Sequence, residues 1–566
     1  MRFQLKKKLS ARCPERTTPA RTLLLASLLS GLALFPGVAG AQDSVIVSTD
    51  QPDLGRKPGL AVAEGEVQLS LEEAIEIALE RNLTLVIERY TTREAELAIK
   101  QNLGIYDVFS TMDLSDSEDN APTASNLAGA EVQEFKQADW NFGFDQLLTS
   151  GGTVLLDWNN NRQETNSLFA TLNPSYRIDL DLSLSQPLLR NVGKMTTNRN
   201  LTIARTNQGI SLENFERQVT TVILAIEEAY WNLAESIAQL QVAEQAEALA
   251  VQLHEQNVIR VEVGTLAPLE LIQSEAGIAD RVVEIIRARA AVGDRADVLR
   301  QLLNIERNEN LWAMPINPTS DPFSDPFEVD VEAAIATALA ERPELRAKEL
   351  SLQNQELDVR YFGNQKRPAL DLNMTYGLNG VGGDSTDRDF ITGAVGATEE
   401  GDYGDAIDQI LNADFDGWRV ALNFAYPLQN RTGRANKAIA EVNLDRGEAE
   451  MQDLELTIVT EVRRVARLLE ASAEAVESAE VSRRLQEKNY EAEQKRYENG
   501  MSTSFQVLRI QGDLTDARSR YVAAVATYRR ALALHYQSIG KLIDQSGVAI
   551  ISNQDDEEQE EAKQES

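Results

Sequence analysis

Residues that could carry nucleophilic or metal chemistry are scarce in this chain. Its 566 residues include two histidines, His254 and His535, and one cysteine, Cys13. Two histidines are too few for a histidine-based metal site, and no Ser/His/Asp or Cys/His set can be assembled around them. The sequence also lacks a GxxxxGK[ST] phosphate loop. It therefore predicts no enzyme and no metal or other cofactor. His535 falls on an apolar helical stripe and is expected at an interface, whereas His254 is expected to be solvated.

Carboxylates are the one abundant reactive group. The chain has 89 acidic and 55 basic residues and a formal net charge of -34. Paired carboxylates could serve a glycosidase, but the long helices described below offer no cleft for a substrate. The negative charge disfavours a nucleic-acid partner, and any enclosed surface would attract cations.

Two glycine turns are the most distinctive local motifs. The segments RVEVGTLAPLEL and RYENGMSTSFQVL place Gly264 and Gly500 at corresponding positions, each followed by an amphipathic helix. Asn499-Gly500 predicts a turn because both residues tolerate positive φ, and Ser502 and Ser504 are the expected caps of the next helix. The sequence thus predicts one helical hairpin built twice.

Longer elements repeat as well. A capping box at Ser70 and Glu73 begins a predicted helix, and a matching segment lies 260 residues later. Helices predicted over 198–262 and 434–498 would each extend roughly 100 Å at ~1.5 Å per residue. The predicted organisation is a signal peptide (1–41), a first repeat (42–312), a proline-rich linker (313–328), a second repeat (329–545) and an acidic disordered tail (546–566).

Alternating segments predict strands between these helices. In YRIDLDLSLSQPLL the leucines face one side and the acidic and serine residues face the other, and WRVALNFAYPL is its counterpart. Partner strands are expected over 108–115 and 370–376, and residues 140–158 form a further hairpin whose place is left open. Residues 380–417 are expected to be a solvent loop. Half of a soluble sandwich would alternate in the same way, but the chain has no second sheet to offer.

The N-terminal segment predicts export. Basic residues precede an apolar run over 23–34, and Ala39-Gly40-Ala41 offers a cleavage site. That run is short for a membrane-spanning helix, which needs about 20 residues. If the strands lie in a membrane, several copies must share one barrel, because two hairpins cannot close one.

The order of helix, strand pair, strand-ending proline, long helix, glycine turn and long helix resembles the TolC-like outer-membrane efflux proteins. The segments QPLLRNVG and YPLQNRTG, the helix starts ALERNLTL and ALAERPEL, and the two glycine turns carry the resemblance. It implies a mainly α fold with β structure: a homotrimer with a long periplasmic α-helical barrel, and a transmembrane β-barrel to which each chain gives four strands.

The resemblance also implies roles for particular residues. The glycine turns would form the periplasmic tip that meets an adaptor protein, and the first turns of the return helices would narrow the tunnel entrance. The entrance positions are Glu270, Gln273, Gln506 and Arg509. After the second turn, well-known relatives carry aspartates at the two positions that hold Gln506 and Arg509 in this chain. The adaptor-contact positions are Val263, Gly264, Thr265, Leu266, Asn499, Gly500, Met501 and Ser502.

The function that the resemblance implies is a passive exit duct of a tripartite efflux or type I secretion system. It would lie in the outer membrane, in contact with its lipid and with a long periplasmic part, and would be driven by an inner-membrane transporter through the adaptor. The alternative is an envelope coiled-coil scaffold without a pore, for which two-faced strands would have no use.

Overall fold

A computed structural model describes residues 61–63, 65–123, 131–167, 169–305, 310–322, 328–388 and 395–548. The predicted signal peptide (1–41) and residues 549–566 of the predicted tail lie outside these ranges. The described residues form two compact units. A strand unit contains residues 102–200 and 360–438, and a helical unit contains those between 61 and 101, 201 and 359, and 439 and 548.

Helices account for most of the described residues. They are α1 (Leu71–Arg81), α2 (Leu83–Leu103), α3 (Lys194–Thr197), α4 (Arg199–Glu262), α5 (Leu269–Leu302), α6 (Val331–Glu341), α7 (Pro343–Gln365), α8 (Tyr403–Asn412), α9 (Arg431–Glu498), α10 (Ser504–Ser538) and α11 (Leu542–Gln545), with short 3-10 turns at Gly104–Tyr106 and Asn310–Ala313. The long helices α4 and α9 have 64 and 68 residues, which confirms the predicted pair.

Strands form two sheets. They are β1 (Ala61–Ala63), β2 (Glu66–Leu69), β3 (Phe109–Pro122), β4 (Val132–Leu147), β5 (Thr153–Thr165), β6 (Leu172–Pro187), β7 (Ile316–Pro318), β8 (Ala369–Arg388), β9 (Val395–Glu399) and β10 (Asp416–Ala425). The small sheet has the order β1-β2-β7, and the large sheet has the order β10-β8-β6-β5-β4-β3 with β9 paired to β8. Part of the predicted linker is therefore strand β7, which pairs in parallel with β2.

The internal duplication is visible in how corresponding helices begin and break. Ser70 caps α1, where it accepts the N–H of Glu73 at 3.2 Å, and Asp330 caps α6 at the position 260 residues later. Each predicted continuous helix is interrupted, at Asn82 in the first copy and at Arg342 in the second, where the backbone is extended. The two breaks also correspond, so the interruption belongs to the repeated unit.

The core of the helical unit forms around α4. An apolar stripe along this helix is buried against α1, the end of α5 and the small sheet. The hydroxyl of Tyr230 donates to the carbonyl of Leu69 at 3.0 Å and accepts the N–H of Ser320 at 2.9 Å, so one buried tyrosine ties α4 to the end of the small sheet where both β2 and β7 finish. Its largest buried side chains include Leu69, Leu85, Ile223, Ile226, Tyr230, Trp231, Leu233, Leu299 and Leu303.

The segment predicted as a solvent loop over 380–417 is structured, so that prediction is wrong. It contains the end of β8, strand β9 and helix α8, which begins with a capping box at Asp402. Ala406 and Ile410 of α8 pack against Ile178 and neighbouring apolar residues of the large sheet. A Cβ on Gly380 would overlap the carbonyl oxygen of Ala406, so glycine lets the helix backbone lie directly on the strand.

Candidate functional site

The turns after α4 and α9 have the same backbone geometry. Gly264 has φ +77° and Gly500 has φ +72°, and both glycines face open space. In the second turn the N–H of Met501 donates to the carbonyl of Arg496 at 2.8 Å, and the corresponding bond in the first turn has the same length. This pattern is the Schellman ending of a helix, which requires a left-handed residue that glycine adopts without a Cβ penalty.

The return helix α10 begins at a cap that the sequence reading missed. Thr503 is the N-cap, with φ -108° and ψ 155°, and its hydroxyl accepts an N–H three residues on at 3.3 Å. Ser502 instead donates its hydroxyl to Glu493 of α9, and Ser504 donates to Glu270 of α5. The predicted capping by Ser502 and Ser504 is therefore wrong, because Thr503 accepts the helix N–H while Ser504 is already the first residue of the helix.

Contacts near the turns join the two hairpins. The guanidinium of Arg260 lies 4.1 Å from the ring centroid of Tyr497 and donates to the carbonyl of Glu498 at 3.3 Å. The hydroxyl of Tyr497 donates to the side chain of Asn257, which is fully buried. Burial raises the pKa of Tyr497, which keeps this hydroxyl a donor. An apolar cluster lies beneath these contacts: Leu253, Tyr490, Tyr497, Val507, Ile510 and Leu514.

The four predicted entrance residues lie in the first turns of α5 and α10. The bond from Ser504 to Glu270 brings these two helix starts together. Glu270 and Gln506 are half-buried, whereas Gln273 and Arg509 are exposed. Within one copy no ion pair joins Arg509 to another described residue. Pairing between Glu270 and Arg509 therefore stays a prediction about neighbouring copies.

The predicted tip residues are mostly exposed. Val263 and Met501 are 67% and 64% exposed, although both are apolar. Gly264, Thr265, Asn499 and Gly500 are also exposed, while Leu266 and Ser502 are half-buried. The structure adds apolar residues that the sequence reading missed, because they lie off the buried stripe of each helix: Ile259, Leu269, Ile272 and Phe505. The tip thus presents an apolar surface beside a charged one.

The two histidines have structural positions. His535 is buried, which lowers its pKa. His254 is half-buried, and its Nδ1 lies 2.8 Å from the hydroxyl of Ser274, so the prediction that it is solvated is wrong. Ser274 belongs to the return helix α5, and the pair is one more link between the arms of the first hairpin. Across the described ranges, no group of three His, Cys, Asp or Glu side chains is arranged to hold a metal ion.

The large sheet has one apolar and one polar face. Side chains on the apolar face align in rows across the strands, and one row contains Phe144, Leu156, Leu182, Tyr376 and Trp418. Trp418 is 77% exposed in the single chain. The opposite face has a row in which Gly143, Asp157, Asp181 and Gly377 are successive partners. Such a sheet separates an apolar medium from water.

None of the helices that the structure describes is both long and apolar enough to cross a membrane.

Comparison with known proteins gives one family and a consistent fold. The model of the outer membrane efflux protein family matches residues 334–541. The chain is similar to the CmeC outer membrane channel of Campylobacter jejuni, with a TM-score of 0.60 and 15% identity over 86% of this chain and 88% of that one. It is also similar to VceC of Vibrio cholerae, with a TM-score of 0.56 and 14% identity over 83% of this chain and 96% of that one.

A third similar structure is the open state of the MtrE outer membrane channel of Neisseria gonorrhoeae, with a TM-score of 0.56 and 15% identity over 86% of this chain and 97% of that one. No curated protein sequence matches the chain. Residues 334–541 therefore match the outer membrane efflux protein family, and the chain has the fold of the outer membrane channels to which it is similar.

Proposed function

We propose that this chain is the outer-membrane exit duct of a tripartite efflux or type I secretion system. Three identical copies close one β-barrel from their large sheets and one periplasmic tunnel from their long helical hairpins. Transport through the duct is passive, because an inner-membrane transporter drives it through a periplasmic adaptor. The absence of a phosphate loop in the sequence is consistent with an energy source on another chain.

The observation that carries the proposal is the exposure of the two end strands of the large sheet. Strands β3 and β10 end the sheet, and their residues are almost all exposed. A long, exposed edge invites pairing with another chain. Each neighbouring pair in the sheet is antiparallel, so β3 and β10 run in opposite directions and can pair between copies without breaking the pattern. A closed ring of copies removes both edges.

The apolar face of the sheet indicates which medium would surround such a ring of copies. Trp418, Val420, Leu422 and Phe424 alternate along β10 and are exposed in the single chain. Contact with the lipid of the outer membrane would remove this surface from water, at about 25 cal/mol per Å² of apolar area. A coiled-coil scaffold in the periplasm would leave the same surface in water.

The helical tips supply the contact with the adaptor. Val263 and Met501 extend from neighbouring glycine turns and are exposed apolar side chains. An adaptor hairpin with a matching apolar stripe would bury them, while the charged residues beside the turns set its orientation. Glu270, Gln273, Gln506 and Arg509 follow on the return helices and form the entrance constriction of the tunnel.

Fractionation and mass measurement test this proposal. The protein should sediment with the outer membrane, and the detergent-solubilised particle should have three times the protein mass of one copy. Planar bilayers should then record ion conductance from the purified trimer. Recovery as a soluble periplasmic monomer would rule the duct out. A soluble, elongated oligomer without conductance would favour the scaffold.

A further inference from the structure

The number of strands in the large sheet exceeds what the family resemblance implies. Four strands from each chain are expected, namely β3, β6, β8 and β10. The hairpin of β4 and β5 joins the same sheet between β3 and β6, which gives six long strands. Strand β4 has 14 paired positions with β3 and 11 with β5, and β5 has 11 with β6. The hairpin is therefore integrated along its length.

The two extra strands continue both faces of the sheet. Phe144 and Leu156 extend the apolar row of Leu182, and Gly143 and Asp157 extend the polar row of Asp181. In a hairpin that lay free in water, nothing would require the apolar and polar positions to align with those of the neighbouring strands. The aromatic contact between Phe142 and Trp158, with ring centroids 6.0 Å apart, lies on the apolar face of the hairpin itself.

The strand lengths are sufficient for a membrane. Strands β4 and β5 have 16 and 13 residues. A tilted transmembrane strand needs about 9–11 residues. The turn between them lies against the residues that follow β6, since a Cβ on Gly151 would overlap the carbonyl oxygen of Asn191. The turn is thus at the end of the sheet where the chain enters its long helices, and both extra strands cross the full sheet.

We propose that the barrel of this protein has eighteen strands, from three copies of six, and that the extra hairpin widens the pore. This inference rests on the proposed trimer. With strands about 4.8 Å apart and tilted by about 40°, twelve strands give a backbone diameter of about 24 Å and eighteen give about 36 Å. The cross-section enclosed by the backbone is then about twice as large. Barrels of this strand number leave an aqueous channel.

The widened wall is also acidic. The polar face of the extra hairpin contributes carboxylates at Asp139, Asp145 and Asp157. Three copies multiply each of these charges around the pore. A negatively charged wall concentrates cations and repels anions. The hairpin therefore determines two properties of the barrel, its width and its preference for cationic or neutral cargo.

Electron cryomicroscopy of the purified protein in lipid nanodiscs tests the strand count. A cross-section of the barrel should contain eighteen strands, with β4 and β5 between β3 and β6 of the same copy. A trimeric barrel of twelve strands, with the hairpin outside it, would overturn this inference and leave the proposed duct intact. A particle without any barrel would overturn the proposed duct as well.

Cysteine labelling in isolated outer membranes supplies a second test that needs no structure determination. The only cysteine, Cys13, lies in the predicted signal peptide. The labelling of a single introduced cysteine can therefore be measured without background from a native cysteine. The matched variants are Phe144→Cys on the apolar face and Asp145→Cys on the polar face. A membrane-impermeant maleimide should label Asp145→Cys at least tenfold faster than Phe144→Cys.

Variants in β6 are the control, since Leu182 is in the row of Phe144 and Ser183 is in the row of Asp145. Leu182→Cys and Ser183→Cys should differ in the same way as the hairpin pair. Equal labelling of the two hairpin variants, with a clear difference in β6, would overturn the eighteen-strand barrel. Equal labelling of both pairs would contradict the proposed duct.

Discussion

At the tip of the second hairpin, Gly500 has a backbone conformation that other residues adopt only with strain. Its φ is +72°, and a side chain there would meet nothing within 4 Å. A left-handed L-residue costs roughly 1–2 kcal/mol, so Gly500→Leu should distort the turn by strain alone. We expect reduced export in a strain with the cognate pump, and an unchanged trimer on native gels.

The matched control for that variant is Gly293→Leu. Gly293 lies inside helix α5 with open space around it and no positive φ. This substitution adds the same side chain without strain and should leave export unchanged. Export at the wild-type level by Gly500→Leu, at equal protein abundance, would remove the tip from the adaptor contact.

Arg509 is one of the four residues proposed to form the entrance constriction. It is exposed on α10 and has no ion-pair partner among the described residues of its own copy. We expect it to pair with Glu270 of a neighbouring copy and to help hold the entrance shut. Arg509→Ala should raise the closed-state conductance in planar bilayers and shift selectivity towards cations, because the remaining charges are acidic.

An ordinary surface ion pair is worth only about 0–1 kcal/mol, so the effect depends on the ring of three copies. Exposed Arg520, further along α10, is the matched control, and Arg520→Ala should change neither property. An Arg509→Ala channel with the conductance and ion preference of the wild type would show that this residue is not part of the gate.

Glu227 makes the stability of the helical unit depend on pH. It lies on α4 beside a cavity of about 700 Å³ that Arg529 and Tyr536 also line. Burial raises the pKa of Glu227 to about 7, and the charge of Arg529 offsets only part of this effect. Between about pH 4.3 and 7 the unfolded chain loses the proton while the folded chain keeps it, so stability falls as pH rises.

Glu227→Gln removes that titration. The variant should be more stable than the wild type at pH 8, by about 3–4 kcal/mol, and close to it at pH 4. Thermal unfolding followed by circular dichroism at both pH values measures the difference. Glu228→Gln, a change at the exposed neighbour, should show no such divergence. If the stabilities of Glu227→Gln and of the wild type changed in parallel between pH 4 and pH 8, the raised pKa of Glu227 would be contradicted.

At the scale of elements, helix α8 is a surface feature that depends on one close approach. Its backbone lies on Gly380 of β8, where a Cβ would overlap the carbonyl oxygen of Ala406. Gly380→Val should displace the helix and expose residues 400–414 to protease added to intact cells. Gly417→Val is the control, because Gly417 lies on neighbouring β10 with nothing within 4 Å. Equal protease resistance of the two variants would show that α8 does not need this contact.

At the scale of the whole molecule, the surroundings of the sheet distinguish a membrane duct from a soluble scaffold. Leu422 is 63% exposed on the apolar face of β10, and Ala421 points to the opposite face. A lysine at a lipid-facing position near the bilayer midplane costs about 2–4 kcal/mol, whereas in water an exposed leucine can become lysine at little cost. Leu422→Lys should reduce the amount of trimer in the outer membrane, and Ala421→Lys should not.

Quantitative immunoblotting of membrane fractions measures this difference. If Leu422→Lys and Ala421→Lys assemble equally well, the apolar face does not contact lipid. Comparable loss in both variants would indicate a general intolerance of charge in β10 rather than a lipid-facing side.

Elements whose signals are local could be predicted from the amino-acid sequence. The helix start at Ser70, the matching segment 260 residues later and the glycine turns at 264 and 500 follow from periodicity and backbone preference over a few residues. Duplication strengthened these assignments because each signal occurs twice. The hairpin around residues 149–152 was also predicted, since alternation on both sides of a glycine turn is a short-range pattern.

Contacts between distant segments could not be predicted in this way. The insertion of β4 and β5 between β3 and β6 depends on pairings that no local pattern specifies. The packing of α8 on Gly380 and the bond from Ser504 to Glu270 join residues that are far apart in the chain. A glycine has the same local sequence pattern in a loop as beneath a helix. A serine next to a turn matches the pattern of an N-cap even when its hydroxyl bonds elsewhere. Which segments pair or pack together depends on the geometry of the whole fold, because many segments compete for the same exposed edge or face.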